Sequence, residues 1–502
     1  MELTTILAAA ATLLAGLYLF YSHRFTYWKK RGVPFPKPLP IVGNFGFLFW
    51  GKKFFTAGLE ELARPFKENG FCGLYQWGSP LLLVWDPEMI KQITCKDFSS
   101  FHDRGVVDQK HDPLSQRLFN LSGNKWRNLR NKLTPTFTSG KLKLMFPLIR
   151  DIGEELSTQV AIEAKKAETQ EVKISTLLGR YATDVIGSCA FGIQCNCLRD
   201  HDNEFLAMSK KVFRTSPAQF LRFILQAIHP SLGGILPLKF IFSDVHNFFI
   251  NLMKDTVEYR EKNNVERNDF VQLMMQLRKA DLASVDPENH IELTPGVMAA
   301  QGFIFFIAGL DNISNTVSFA LSKLAADLEL QNRVAKEVSE VLRQHDGELT
   351  YDALKKMDLL NRTALEALRI WNPIGVLIRE CNATTRVGNL TIEKGQPVFI
   401  LTQMTAMDEK YFPDPTRFDP DRHLPEVKEK RHPYTFLPFG EGPRNCIAER
   451  FALLEMKLAM VTLLRDFVFT HGPNHKEEIE LDPKGFFPTP KGGFVLQVAA
   501  RA

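Results

Sequence analysis

Near its C-terminal end the chain reads Phe439-Gly440-Glu441-Gly442-Pro443-Arg444-Asn445-Cys446-Ile447-Ala448, and from Glu449 to Phe469 it follows as an amphipathic helix. Two glycines and a proline make the first part a tight loop, which delivers a cysteine to the start of the helix. There the free backbone N–H groups and the helix dipole favour negative charge, and Arg444 adds a nearby cation. The Cys446 thiol is therefore expected as a thiolate, the form that ligates a metal. The glycines also let the backbone approach a flat partner, against which Phe439 can lie. A lone cysteine is more often an inert core residue. Spacing argues otherwise here: with 40 Phe, 31 Gly, 62 Lys plus Arg and 7 Cys in 502 residues, F-x-x-G-x-[KR]-x-C is expected by chance roughly 0.004 times per chain.

A chain that is 45% hydrophobic and 24% charged is globular, which excludes a disordered or fibrous protein. Its 40 Phe exceed its 6 Trp and 9 Tyr together, an excess of apolar rings that suits a greasy cavity or a membrane contact. The net charge of +5 comes with no basic stripe, so nucleic acid is not an expected partner. Cys72, Cys95, Cys189, Cys195, Cys197, Cys381 and Cys446 form no C-x-x-C pair, and an odd, scattered set points to a reducing compartment. Dinucleotide, P-loop, zinc-protease and nucleophile-elbow motifs are all missing, so redox chemistry would need a cofactor bound otherwise and electrons from outside.

From Leu3 to Phe20 the sequence is apolar apart from three threonines, just long enough for a membrane helix. His23, Arg24, Lys29, Lys30 and Arg31 follow it, which keeps the bulk of the chain on the cytosolic side. We expect an anchor over 1–22, a basic, proline-rich hinge over 23–40 and a single catalytic domain over 41–502. The fold class expected is mainly α with a small β-rich lobe, strands lying at Leu81–Trp85, Thr391–Ile400 and Gly493–Val498.

The cysteine loop resembles the haem-binding loop of the cytochrome P450 family, F-x-x-G-x-R-x-C-x-[GA], throughout. Further family motifs follow in order: Trp126 and Arg130 for W-x-x-x-R, Glu366 and Arg369 for E-x-x-R, and Pro415, Phe418, Pro420 and Arg422 for P-x-x-F-x-P-x-R. The resemblance implies haem b between a long distal helix and the cysteine loop, with Cys446 as iron ligand. It further implies propionate contacts from Trp126, Arg130, Arg379 and Arg444, to which His102 or Arg104 adds another. Glu366 and Arg369 stand at i,i+3 and can pair, and Arg422 completes a three-membered buried network that holds the loop in register. Segments such as Lys125–Pro135 and Cys189–Gly192 are similar to microsomal insect members that handle foreign compounds and hormones.

Thr294-Pro295 offers a cap and a first helical proline for a long helix running through Phe303–Ile307, apolar enough to be buried on nearly all sides. In its middle, Ala308-Gly309-Leu310-Asp311-Asn312 looks like the family's [AG]-G-x-[DE]-T, with Asn312 in place of the threonine. That hydroxyl helps relay protons to dioxygen, and an amide cannot donate and accept alternately. Asp311 and a water held by Asn312 are expected to serve instead. The resemblance thus implies a monooxygenase acting on an apolar small molecule, fed by an NADPH-dependent flavoprotein reductase and cytochrome b5 at the cytosolic face of the endoplasmic reticulum. Arg127, Lys132, Lys141 and Lys143 are candidates for the docking face. Family branches that lack the threonine offer an alternative, an isomerase or dehydratase acting on a lipid peroxide without dioxygen or reductase. The segment Phe220–Phe242, apolar and broken by Pro and Gly, looks like a roof over the substrate channel and a second membrane contact.

Overall fold

The computed structural model describes residues 2–49, 51, 53–106, 112–200, 202–212, 221, 225, 241–281, 291–473, 475, 479–483, 485 and 487–501. Most of the expected roof segment lies outside them. The main core gathers around the helix Pro295–Ala326, which packs against Ile174–Ile186, Ser243–Asn263, Asp358–Ile370 and Glu449–Asp466. Thr294 caps it, its Oγ1 accepting from the Val297 amide at 3.3 Å, and Pro295 is the first helical residue, as the sequence predicts. This helix is long and apolar enough to cross a membrane, but it is mostly buried inside the protein.

The β-rich part has three sheets. The largest orders β1 (Phe71–Gln76), β2 (Ser79–Val84), β7 (Pro397–Leu401) and β4 (Val376–Glu380) as β1-β2-β7-β4, antiparallel except for the parallel β2–β7 pair. β3 (Glu171–Val172), β9 (Leu496–Ala500) and β8 (Phe467–Thr470) form the second, and β5 (Thr385–Val387) pairs with β6 (Leu390–Ile392) in a hairpin. Four boundaries differ from the sequence reading. The strand expected at Leu81–Trp85 runs Ser79–Val84. Thr391–Ile400 spans two strands, because Gly395 turns the chain with φ +83°. The last strand starts three residues late, after Gly492 and Gly493, both at positive φ. The helix after the cysteine ends at Asp466, and Phe467–Thr470 pairs with Ala500–Gln497, an instance of tertiary pairing overriding helical period.

Glu2–Arg24 is a helix with exposed Leu7, Tyr18, Leu19 and Phe20. The residues after it are bound to the large sheet. Trp28 is 2% exposed and Val33 4%. Trp28 Nε1 donates to the Leu74 carbonyl at 2.9 Å, its amide donates to the Tyr75 hydroxyl at 3.0 Å, and that hydroxyl donates to the Phe25 carbonyl at 2.8 Å. Gly73 is required beneath Trp28, since a Cβ there would overlap the indole.

Candidate functional site

The cysteine loop is built by two left-handed glycines, Gly440 (φ +72°) and Gly442 (φ +80°). Hydrogen bonds close it: Gly440 N–H to Leu437 O at 3.1 Å, Asn445 N–H to Gly442 O at 3.0 Å, and Cys446 N–H to Phe439 O at 2.8 Å. A Cβ on Gly442 would overlap the Thr94 carbonyl oxygen, so this glycine serves the packing of the loop on the protein itself rather than a flat ligand. Cys446 lies three residues before Glu449, where the helix begins. Its side chain is exposed, yet burial pushes its thiol up to about 11. A cysteine both accessible and deeply enclosed faces an interior space. The Ala448 amide and then the Arg130 and Arg104 cations oppose the rise without cancelling it. The expected thiolate therefore needs more than the helix start and Arg444. Arg444 points elsewhere, donating from Nε to His102 O at 2.6 Å and from Nη2 to Leu121 O at 2.7 Å and Asp103 Oδ1 at 3.2 Å.

Around this space stand four guanidinium groups. Arg130, on the helix Gly123–Leu133, donates to the Asn445 carbonyl and side-chain oxygens, both at 2.7 Å. Trp126, one turn before it, lies under the Arg444 guanidinium at 4.1 Å. Arg379 comes from β4 and donates from Nη1 to Ile378 O at 2.9 Å. Arg104 donates to Phe119 O at 3.1 Å and Arg444 O at 3.2 Å, whereas His102 is turned to Ser99 O and Asp103. Burial lowers all four; Arg444 falls to about 9 and Arg379 to about 10, and mutual repulsion with Arg379, Arg444 and Arg130 adds to the fall at Arg104. Buried Arg379 Nε and Arg444 Nη1 have no hydrogen-bond partner. Asp103 is the carboxylate that ion-pairs within this group. Such an excess of buried cation with orphaned donors is unfavourable unless an anion joins it, and a dicarboxylate such as the haem propionates fits. Asp103 and Asn445 were not legible in the sequence: neither has a helical or strand spacing that marks it, and their roles come from contacts 20 to 341 positions away along the chain.

Beneath the loop, Glu366 and Arg369 are fully buried and pair through two 2.8 Å bonds. Arg369 also donates to Ala406 O at 2.9 Å and Pro415 O at 2.7 Å. The expected third member holds only weakly. Arg422 Nε stands 3.5 Å from Glu366 and makes no hydrogen bond, its Nη2 donating instead to Asp414 O. His423, adjacent to it, takes the place with Nε2 3.0 Å from Glu366 Oε2. Those donors hold the Glu366 carboxyl below its usual range although burial alone would raise it.

On the long helix, Ala308 is exposed between half-buried Ile307 and Gly309, with Phe306 and Leu310 buried beside them, so this face of the helix is open at Ala308. Burial raises Asp311 to about 6. Asn312 Nδ2 donates back to Ala308 O at 2.8 Å, which leaves its buried Oδ1 without a partner. Thr316 Oγ1, one turn on, is likewise buried and unpartnered. Ser314 and Asn315 are engaged with Asp311 O and Thr489. Of the four cations expected to form a docking face, Arg127 and Lys143 are exposed, with Lys143 paired to Asp352, while half-buried Lys132 donates to Ile291 O and Lys141 is half-buried.

An accessible cysteine on a glycine-built loop, an exposed Ala308 on the long helix and a cationic group with orphaned donors are features that a haem-thiolate site requires. The sequence matches the cytochrome P450 family model over residues 33–497. Among its relatives, probable cytochrome P450 6a14 of Drosophila melanogaster is 37% identical over 504 residues, covering 98% of this chain and 99% of that protein. Cytochrome P450 6a2 of the same fly is 36% identical, covering 98% of each. Cytochrome P450 6k1 of Blattella germanica is 36% identical over 92% of this chain and 90% of its own. The chain belongs to the cytochrome P450 family. It is a monooxygenase whose cofactor is haem b on a cysteine thiolate.

Proposed function

We propose that this protein inserts one oxygen atom into apolar foreign compounds or lipid-like hormones, with electrons from NADPH through a membrane flavoprotein reductase and with cytochrome b5 as a second donor. The observation that carries the reading is the deeply enclosed, accessible Cys446 beside four buried or half-buried arginines for which Asp103, paired with Arg444, is the one carboxylate partner among the described residues. Haem held there supplies the oxidising chemistry. Cys446 ligates the iron. Arg104, Arg130, Arg379 and Arg444, with Trp126 stacked under Arg444, hold the propionates, and Phe439 supports the loop from which the thiolate projects.

The chain's own residues manage the protons. Asn312, with one amide N–H tied to Ala308 O, presents its unpartnered Oδ1 as an acceptor. The Thr316 hydroxyl lies one turn along the same face, within reach of a single bridging water. Asp311, raised to about 6 by burial, takes protons from solvent and passes them to that water near neutral pH. The helix Glu2–Arg24 anchors the protein in the endoplasmic reticulum with the catalytic body on the cytosolic face.

Reconstitution of the purified full chain with reductase in phospholipid vesicles tests this. Product from apolar probes that depends on NADPH, reductase and dioxygen is expected. Turnover of a lipid hydroperoxide in the absence of all three, with no NADPH-dependent product, would overturn it in favour of an isomerase.

A further inference from the structure

The stretch Ile193–Leu198 contains Cys195 and Cys197 separated by Asn196, a spacing that zinc-motif searches for C-x-x-C pass over. It folds back on the end of the helix Ile174–Ile186, where Asp184 accepts from the Cys197 amide at 2.7 Å and from the Leu198 amide at 3.0 Å. Asn196 sits in the left-handed region at φ +54°, and the Asn203 side chain donates to Cys195 O at 2.6 Å, so the stretch is fixed at both ends. Two thiols and one carboxylate result, each offering a ligand atom within 4.8 Å of the other two, and all buried: Cys195 5%, Cys197 0% and Asp184 6% exposed. The helix clears room for the sulfur, since a Cβ at Gly187 would overlap Cys195 Sγ.

We propose that Asp184, Cys195 and Cys197 form a zinc site. Tetrahedral Zn²⁺ with Zn–S near 2.3 Å places its ligands about 3.8 Å apart, so each edge of this triangle has at most about 1 Å to close. Two sulfurs and one oxygen suit a borderline-soft, closed-shell cation rather than Mg²⁺ or Ca²⁺. The charged side chain that acts on Asp184 is Glu155, of the same sign. Metal would supply the positive charge that the cluster lacks, releasing both thiol protons to solvent. No fourth His, Cys, Asp or Glu joins the three among the described residues, so water takes the remaining position. The ion would clip the end of one core helix to the chain that leaves it.

The haem-loaded full chain is stripped with a chelator, given Zn²⁺ alone, freed of excess by gel filtration and analysed for zinc and iron. A zinc-to-iron ratio of about 1 is expected, falling to about 0.1 or less in the double variant Cys195→Ser/Cys197→Ser, with at least about tenfold weaker binding in Asp184→Asn. Added Cd²⁺ should give a thiolate charge-transfer absorption in the wild type only. The Soret band per mole of protein reports whether each variant has folded. Should the variants lose haem, the wild type decides: stripping must lower the urea midpoint, and Zn²⁺ but not Mg²⁺ must restore it. A wild-type ratio below about 0.1, equal zinc in the double variant, an unchanged midpoint, or a mass two hydrogens short that marks a Cys195–Cys197 disulfide would each overturn the site. None of these outcomes depends on whether the protein oxidises any substrate.

Discussion

At Cys446 the surrounding protein resists ionisation of the thiol, because burial outweighs the amide and the two arginines that favour the anion. Iron ligated by Cys446 would favour the thiolate, and the loop would hold the sulfur in place. Cys446→Ser is expected to abolish the thiolate-type Soret band of the reduced carbon monoxide complex while leaving far-UV dichroism unchanged; an unaltered band would exclude Cys446 as ligand. At position 312 the missing hydroxyl should cost coupling efficiency. Asn312→Thr is expected to raise the ratio of product to hydrogen peroxide severalfold, and Thr316→Val to lower it, both read in one NADPH-consumption assay. Glu455 is a residue no motif singled out: fully buried, both carboxylate oxygens unpartnered, its proton held by burial. Its folded pKa is raised, so its contribution to stability is greatest below the unfolded value near 4.3 and declines as pH rises above it. Glu455→Met removes the orphaned group and should stabilise the fold by about 1–3 kcal/mol at pH 8, with a smaller gain at pH 5, measured by urea denaturation.

Elements place these residues, and their legibility in the sequence followed the range of the forces involved. The cap at Thr294-Pro295 is local and was read from the residues themselves, while Glu366, Arg369, Trp126 and Arg130 stand in short local motifs that the family resemblance picked out. Long-range choices were hidden. Helical period cannot tell that Phe467–Thr470 will pair with the last strand, nor that His423 rather than Arg422 will hydrogen-bond to Glu366. Arg444 was found as a loop residue but misassigned as a neighbour of the sulfur, because its partners lie more than 300 positions away. The helix Asp358–Ile370 is coupled through the buried Glu366–Arg369 pair to the stretch 406–423, and breaking it leaves a charge uncompensated. Glu366→Gln is expected to cost about 3–5 kcal/mol and to lower haem retained per mole of protein, whereas Arg422→Lys should change it little.

For the whole molecule, the segment after the helix Glu2–Arg24, the proposed anchor, counts as part of the body. Deleting residues 2–22 should leave haem content and urea midpoint close to those of the full chain. Deletion through Phe35 removes Trp28 and Val33 from the core and should abolish haem incorporation; equal haem content in both truncations would show that the segment is a free tether. Trp28 is packed over Gly73 and hydrogen-bonded to the first strand, so the chain that leaves the proposed anchor Glu2–Arg24 is fixed to the sheet. An anchor there would hand its orientation directly to the β-lobe. A foreign anchor grafted ahead of Phe25 would change how firmly the protein is moored, but not which side it turns to the bilayer.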